Sequence, residues 1–150
     1  MINLKQIKDE TPVPVDKPKA VVVSTYVPRQ CGLATFAKDL HDAIAGHLGE
    51  SRTQVIAMDD VPQGYSYPDE VHHQISQQIR EDYLTAAELL NINHTDVVFL
   101  QHEFGIFGGD DGAHVLDFVR DLRMPIISTL HTVLKSPSTG QRAVLREVCR

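Results

Sequence analysis

Long apolar stretches are absent from this sequence of 150 residues. No run approaches the roughly 18–20 apolar residues that cross a bilayer, so the sequence predicts no membrane-spanning helix. Residues 1–19 are polar and contain three prolines, a composition that fits neither a signal peptide nor a membrane anchor. The length leaves room for one ordinary folded domain.

Cysteine and positive charge are also scarce. The two cysteines, Cys31 and Cys149, lie far apart and in no metal-binding or redox spacing. We therefore expect no disulfide framework, no bound metal and a cytoplasmic location. The net charge of -6 argues against a nucleic-acid partner, because such proteins neutralise phosphates with clustered basic side chains.

Most of the sequence alternates between two patterns of apolar residues. Short β-branched or apolar runs predict buried strands at 20–24, 53–58, 72–75, 96–100 and 125–130. Apolar residues spaced by three and four predict amphipathic helices at 33–48, 79–90, 115–122 and from about 138 onward. This order predicts an α/β fold, a Rossmann-like parallel sheet sandwiched by helices.

The two ends of the chain differ from that pattern. Residues 1–18 contain a proline-rich stretch without helical or strand periodicity, and we expect them to form a flexible N-terminal arm. Residues 19–150 form the predicted domain. The helical pattern reaches Arg150 without a capping residue or a polar tail, so we expect this domain to be truncated at its C-terminus.

The turn after the first strand is a candidate phosphate site. In an open α/β sheet, ligands bind at the carboxyl ends of the strands. Here the turn leads into a helix whose free N–H groups attract anions, while Gly32 permits close approach of a ligand. Arg29 adds a charge and Thr35 a hydroxyl; alternatively, Gly32 only lets the chain turn. The dinucleotide fingerprint GxGxxG is absent, which argues against NAD.

Two further strand ends carry polar residues that are costly to bury. Gln101, His102 and Glu103 directly follow the fourth long strand, so we expect them to face a cleft or to hydrogen-bond one another. Gly105 belongs to a glycine-rich loop that is adaptable enough to wrap a ligand. His131 closes the fifth strand, and we expect it to emerge at the same rim of the sheet.

Cys31 supports a competing hypothesis. It lies next to a helix N-terminus, a position that favours nucleophilic thiols. A hydrolase would use it together with His102 or His131 as the base. The aspartate pairs at 59–60 and 110–111 are instead predicted to be solvated turn residues.

Three segments together resemble one family. They are residues 24–36 (STYVPRQCGLATF), 100–109 (LQHEFGIFGG) and 128–134 (STLHTVL). In order, spacing and strand-end position they are similar to the N-terminal domain of bacterial family 4 (group 1) retaining glycosyltransferases. The resemblance runs from about residue 20 to residue 150 and implies a GT-B architecture, in which two Rossmann-like domains face each other.

The resemblance also implies roles for particular residues. The loop with Gly32 would lie near the donor diphosphate, residues 101–105 would form part of the acceptor and sugar pocket, and His131 would contact the transferred sugar. The candidate catalytic residues are therefore His131 and Glu103. The candidate donor-binding and substrate-binding residues are Arg29, Gly32, Thr35, Gln101, His102 and Gly105.

The implied reaction transfers a sugar from a nucleotide sugar to a carbohydrate or lipid acceptor, with retention and without a metal or other cofactor. A second Rossmann-like domain, which this sequence lacks, would hold the nucleotide. Because ligand pockets in this architecture form between domains, we expect the 150 residues alone to be inactive as a hexosyltransferase. The exposed interdomain face also predicts self-association.

Two alternatives stay open on the sequence. One is a non-catalytic, flavodoxin-like module that binds a phosphorylated or carbohydrate ligand. The other is the Cys31-dependent hydrolase. Neither the donor nucleotide nor the acceptor follows from these residues, because nucleotide specificity would lie in the second domain.

Overall fold

The computed structural model describes residues 16–150. The predicted flexible arm therefore lies outside the described residues except at 16–18. There, Asp16 forms an ion pair with Arg52, and the Lys17 ammonium donates to the carbonyl oxygen of His47 at 2.5 Å. Within this part of the chain, no helix combines the length and the apolar character needed to cross a membrane.

The described strands form one parallel sheet. They are β1 (Ala20–Ser24), β2 (Thr53–Asp59), β3 (Val71–Ser76), β4 (Val97–His102) and β5 (Ile126–Leu130). They lie in the order β3-β2-β1-β4-β5, and every neighbouring pair is parallel. This order confirms the predicted α/β class and makes the fold Rossmann-like.

Helices cover both faces of the sheet. They are α1 (Gly32–Leu48), α2 (Arg80–Ile92), α3 (Val115–Asp121) and α4 (Thr139–Val148). Ala37 of α1 packs on one face against Val22 and Val55, whereas α2, α3 and α4 contribute to the core on the other face. The β-branched run of β1 is buried throughout, because a central strand of a parallel sheet is covered on both sides.

β4 is longer than the sequence predicted. The apolar pattern ends at Leu100, but Gln101 and His102 continue the strand because they pair with Thr129 and Leu130 of β5. Backbone pairing therefore extends the strand through two polar residues that an apolar pattern does not reveal. This difference determines where both side chains lie in the candidate site.

Three of the four aspartates predicted to be solvated turn residues, Asp59, Asp60 and Asp111, are buried or bonded to other side chains. Asp59 is 6% exposed and accepts a hydrogen bond from the Tyr67 hydroxyl at 2.5 Å; burial raises the pKa of its carboxyl. Asp111 accepts a hydrogen bond from the Ser138 hydroxyl at 2.9 Å. Because Ser138 is the N-cap of α4, Asp111 links the loop after β4 to the start of that helix.

Gly108 lies where the loop after β4 meets the start of α2. Its amide donates to the Tyr83 hydroxyl at 3.0 Å, and that hydroxyl donates to the carbonyl oxygen of Gln77 at 2.8 Å. A Cβ at Gly108 would lie 1.9 Å from the same carbonyl oxygen and 2.7 Å from His114 Nδ1. The close packing therefore excludes a side chain at this position.

We predict that Gly108→Ala lowers the free energy of unfolding by about 2 kcal/mol or more, because the backbone of Gln77 must shift. Gly46→Ala is the matched control: position 46 lies inside α1 with nothing within 4 Å of an added Cβ. Alanine there should raise the free energy of unfolding by about 1 kcal/mol. Urea unfolding followed by circular dichroism measures both; equal midpoints for the two variants would contradict the packing.

Candidate functional site

The carboxyl ends of β1 and β4 form the candidate site. The chain runs from β1 through β2 to β3 on one side, and from β4 to β5 on the other. This reversal is the topological switch point, where open α/β sheets bind their ligands. Segments 25–32, 103–105 and 131–132 follow β1, β4 and β5 respectively, so they meet at one rim of the sheet.

The N-terminus of α1 contributes free amide groups to this rim. Cys31 is the N-cap: its Sγ accepts a hydrogen bond from the Ala34 amide at 3.4 Å, and its carbonyl oxygen accepts from the Thr35 amide at 3.2 Å. Within residues 16–150, the amides of Gly32 and Leu33 have no hydrogen-bond partner. Two unpaired N–H groups at the positive end of a helix attract an anion.

Gly32 is the first residue of α1 and does not have a positive φ. An added Cβ would meet nothing within 4 Å. The interpretation that this glycine is needed for a tight turn is therefore wrong. What the position does provide is open space directly beside the two free amides.

Arg29 and Thr35 lie on the same side of the rim but differ in their contacts. The Arg29 guanidinium forms an ion pair with Asp60 at 3.1 Å, and Asp60 also accepts from the Tyr65 hydroxyl at 2.9 Å. Arg29 therefore directs its charge to the loop after β2. Thr35 is exposed, and its hydroxyl lies 3.5 Å from the Cys31 carbonyl oxygen. A hydrogen bond of that length is weak, so the hydroxyl can bond to a ligand instead.

His131 lies on the other side of the rim, directly after β5. It is exposed, and its Nε2 is 3.0 Å from Gln101 Oε1. Its ring packs edge-to-face against Phe36 of α1, with 5.0 Å between the centroids. Its amide donates to the carbonyl oxygen of His102 at 2.9 Å. Side-chain and backbone contacts thus fix the ring while one edge faces solvent.

Glu103 is the first residue after β4 and contacts the segment that contains His131. It is partly exposed, and its Oε2 accepts a hydrogen bond from the Thr132 hydroxyl. Within the described part of the chain, its Oε1 has no partner. A carboxylate with one oxygen held and the other free is a positioned acceptor for a ligand hydroxyl.

Gln101 and His102 do not line an open cleft, and among the described residues their side chains do not bond to each other or to Glu103, so both expectations drawn from the sequence are wrong. Both are 0% exposed and continue β4 where it pairs with β5. The His102 ring lies 5.0 Å from the Phe104 ring and 5.7 Å from the Phe107 ring. Desolvation lowers its pKa, so His102 is a neutral residue of the interior.

Sequence reasoning missed two residues of the rim. By its spacing Phe36 belongs to the apolar stripe of the helix predicted at 33–48, but the ring is 45% exposed and contacts His131. Sequence reasoning also passed over Thr132, whose position next to His131 at a strand end was the available signal. Gly105, which the sequence singled out, is exposed at the rim, and its carbonyl oxygen accepts from Gln77 Nε2 at 2.9 Å.

Cys31 acts as a helix cap in this geometry. Besides the Ala34 amide, its Sγ contacts the Thr25 hydroxyl at 3.5 Å. Within residues 16–150, no histidine lies at hydrogen-bonding distance from the sulfur. The described residues therefore place no general base beside Cys31, as a hydrolase would need. The same residues include no cluster of three or more histidine, cysteine, aspartate or glutamate side chains that is arranged to hold a metal.

Comparisons with known proteins give no relative: no protein-family model, no curated protein and no solved structure matches this chain. The fold class follows from the observed sheet order. Folds of this class host many functions, so the function of this chain depends on the residues of the rim. The rim offers two free amides, a carboxylate oxygen and an exposed imidazole.

The buried His102 predicts a loss of stability in acid. Its folded-state pKa is lowered by burial, whereas in the unfolded chain it takes up a proton near pH 6.5. The unfolded state therefore binds more protons below that pH, and the free energy of unfolding falls as the pH falls. Between pH 7.5 and 5.5 this group should therefore lower the free energy of unfolding.

Urea unfolding of His102→Leu at the two pH values measures this contribution. The variant should lose less stability in acid than the wild type. His72→Asn, at an exposed position of β3, is the control and should keep the wild-type pH dependence. The account of His102 is wrong if wild type and His102→Leu show the same dependence.

Proposed function

We propose that this chain is the N-terminal, acceptor-side domain of a retaining glycosyltransferase of GT-B architecture, related to family 4. In the complete enzyme it would act on a nucleotide-sugar donor and a carbohydrate or lipid acceptor in the cytoplasm. One observation carries the proposal: the free amides of α1, Glu103 and His131 share the rim at the switch point.

The free amides suit the leaving group of such a reaction. A nucleoside diphosphate develops negative charge as its bond to the sugar breaks. Preorganised N–H groups stabilise that charge without reorganising during the step. The amides of Gly32 and Leu33 fit this role, and the open space beside Gly32 lets a phosphate approach the backbone. Thr35, three residues after Gly32 in α1, adds a hydroxyl.

Glu103 and His131 suit the sugar. The anomeric carbon gains positive charge in the transition state, and the carboxylate of Glu103 stabilises that charge electrostatically. Sugar hydroxyls need acceptors at fixed positions, which Glu103 Oε1 and the exposed edge of His131 provide. In the proposed reaction, the acceptor hydroxyl attacks the face from which the diphosphate departs, so the configuration is retained.

An exposed apolar surface beside the rim supports a second domain as partner. Phe36 of α1 is 45% exposed and contacts His131, and Val133, two residues after His131 in sequence, is 72% exposed. A surface of this kind typically meets another protein surface. The proposal assigns it to the domain that holds the nucleotide.

We predict that the complete reading frame containing these 150 residues transfers a sugar from a nucleotide sugar, whereas the 150 residues alone show no turnover. In the complete enzyme, His131→Asn and Glu103→Gln should each lower kcat/KM about tenfold or more, because each removes a hydrogen bond or a charge aimed at the sugar. A radiolabelled transfer assay over a panel of nucleotide sugars measures this.

His72→Asn and Glu88→Gln are the matched controls, because both positions are exposed and lie on β3 and α2, away from the rim. They should keep wild-type activity. Transfer by the 150 residues alone would refute the requirement for a second domain. Thermal stabilisation by a nucleotide sugar without any transfer would favour the non-catalytic binding module instead.

A further inference from the structure

Gln101 connects the interior of the sheet to the exposed ring at the rim. It is 0% exposed and occupies a position in β4 that pairs with Thr129 of β5. Its Oε1 lies 3.0 Å from His131 Nε2. A buried strand residue thus forms a direct hydrogen bond with a side chain that faces solvent.

The chemistry of this hydrogen bond fixes where the proton is. An amide oxygen is only an acceptor, so His131 Nε2 must carry the hydrogen and donate it. In the neutral imidazole, the other nitrogen, Nδ1, then has no hydrogen and is an acceptor. Within residues 16–150, Nδ1 has no hydrogen-bond partner, so its lone pair is free for a ligand.

We propose that Gln101 is a positioning residue that holds neutral His131 in the Nε2–H form and presents Nδ1 as an acceptor for a ligand hydroxyl. The inference rests on the proposed function only for the identity of that ligand, a sugar. Phe36 completes the arrangement, because its edge-to-face contact with the ring restricts rotation that would exchange the two nitrogens.

The cost of burying Gln101 supports this role. Its Nε2 is buried and has no partner within the described residues, and an unsatisfied buried amide destabilises a fold. The Ser24 hydroxyl on the adjacent strand β1 is buried and unpartnered in the same way. A residue that served packing alone would be apolar here, as Phe99, two positions earlier on the same face of β4, is. Gln101 therefore supplies something that packing does not need, the acceptor for His131.

Long-range ¹H–¹⁵N correlation spectra of the 150-residue chain at about pH 9, above the usual titration range of histidine, test this directly. The His131→Gln variant assigns the His131 signals by their disappearance. We expect a protonated Nε2 and an unprotonated Nδ1 for His131. A predominantly Nδ1-protonated ring, or an even mixture of the two forms, would overturn the proposal.

Gln101→Met tests the cause, because methionine has a similar length and no amide oxygen. The ratio of Nε2–H to Nδ1–H forms should fall about fivefold, the effect of one neutral hydrogen bond of ordinary strength. The urea midpoint should stay the same or rise, because an unsatisfied amide is removed. Ser24→Ala, which changes the neighbouring buried polar residue without touching His131, is the control and should leave the ratio unchanged.

An unchanged ratio in Gln101→Met would show that Gln101 does not set the tautomer and would overturn the proposal. If that variant fails to fold, a wild-type ring without predominant Nε2 protonation still overturns the proposal. The readout needs no substrate, so it is separate from the transfer assay. If the tautomer is as expected but no sugar is transferred, only the proposed function is wrong. If sugar is transferred but the tautomer is not as expected, only the role of Gln101 is wrong.

Discussion

The parallel pairing of β1 with β4 is the constraint on which the rest of the structure depends. The register runs from Ala20 opposite Val97 to Val23 opposite Leu100. It places the end of β1, and therefore the start of α1, beside the end of β4. Pairing of β4 with β5 then adds His131. Residues separated by about a hundred positions in sequence meet because three parallel strands end at one rim.

The rim is also held by side chains that cross between its loops. Thr132 donates to Glu103, His131 to Gln101, and Ser138 to Asp111. Each bond joins the segment after β5 to β4 or to the loop that follows it. Such cross-links keep polar groups in fixed positions before a ligand arrives, which is what electrostatic stabilisation of a transition state requires. The unpaired amides of α1 complete the arrangement from the β1 side.

The order of strands and helices was predictable because each element carries its own periodicity. The β-branched run at 20–24 and the amphipathic pattern at 33–48 need no tertiary information. The rim was predictable in outline, because parallel strands end together. What the sequence could not show was the extension of β4 through Gln101 and His102, since that depends on pairing with β5. The burial of His102 and Asp59 follows from the same kind of non-local contact.

The partners of polar side chains were equally hidden. Arg29 was expected near a phosphate, but a loop residue, Asp60, binds it; no local pattern reveals that loop's path. Phe36 belongs to an apolar stripe by spacing, yet it lies at the end of α1 that reaches the rim, where the sheet no longer covers it. Local patterns therefore predict the framework, and tertiary contacts decide which predicted site residues are free to bind.

Titration of the ¹⁵N-labelled chain with millimolar pyrophosphate, followed by amide chemical shifts, tests whether the rim binds an anion. An anion held at the rim should move the amides of Gly32 and Leu33 most, in a saturating manner, because those two N–H groups are free. The chemical shifts of the amides of α2 should not change. Absence of any shift at positions 32 and 33, or larger shifts elsewhere on the surface, would contradict the account.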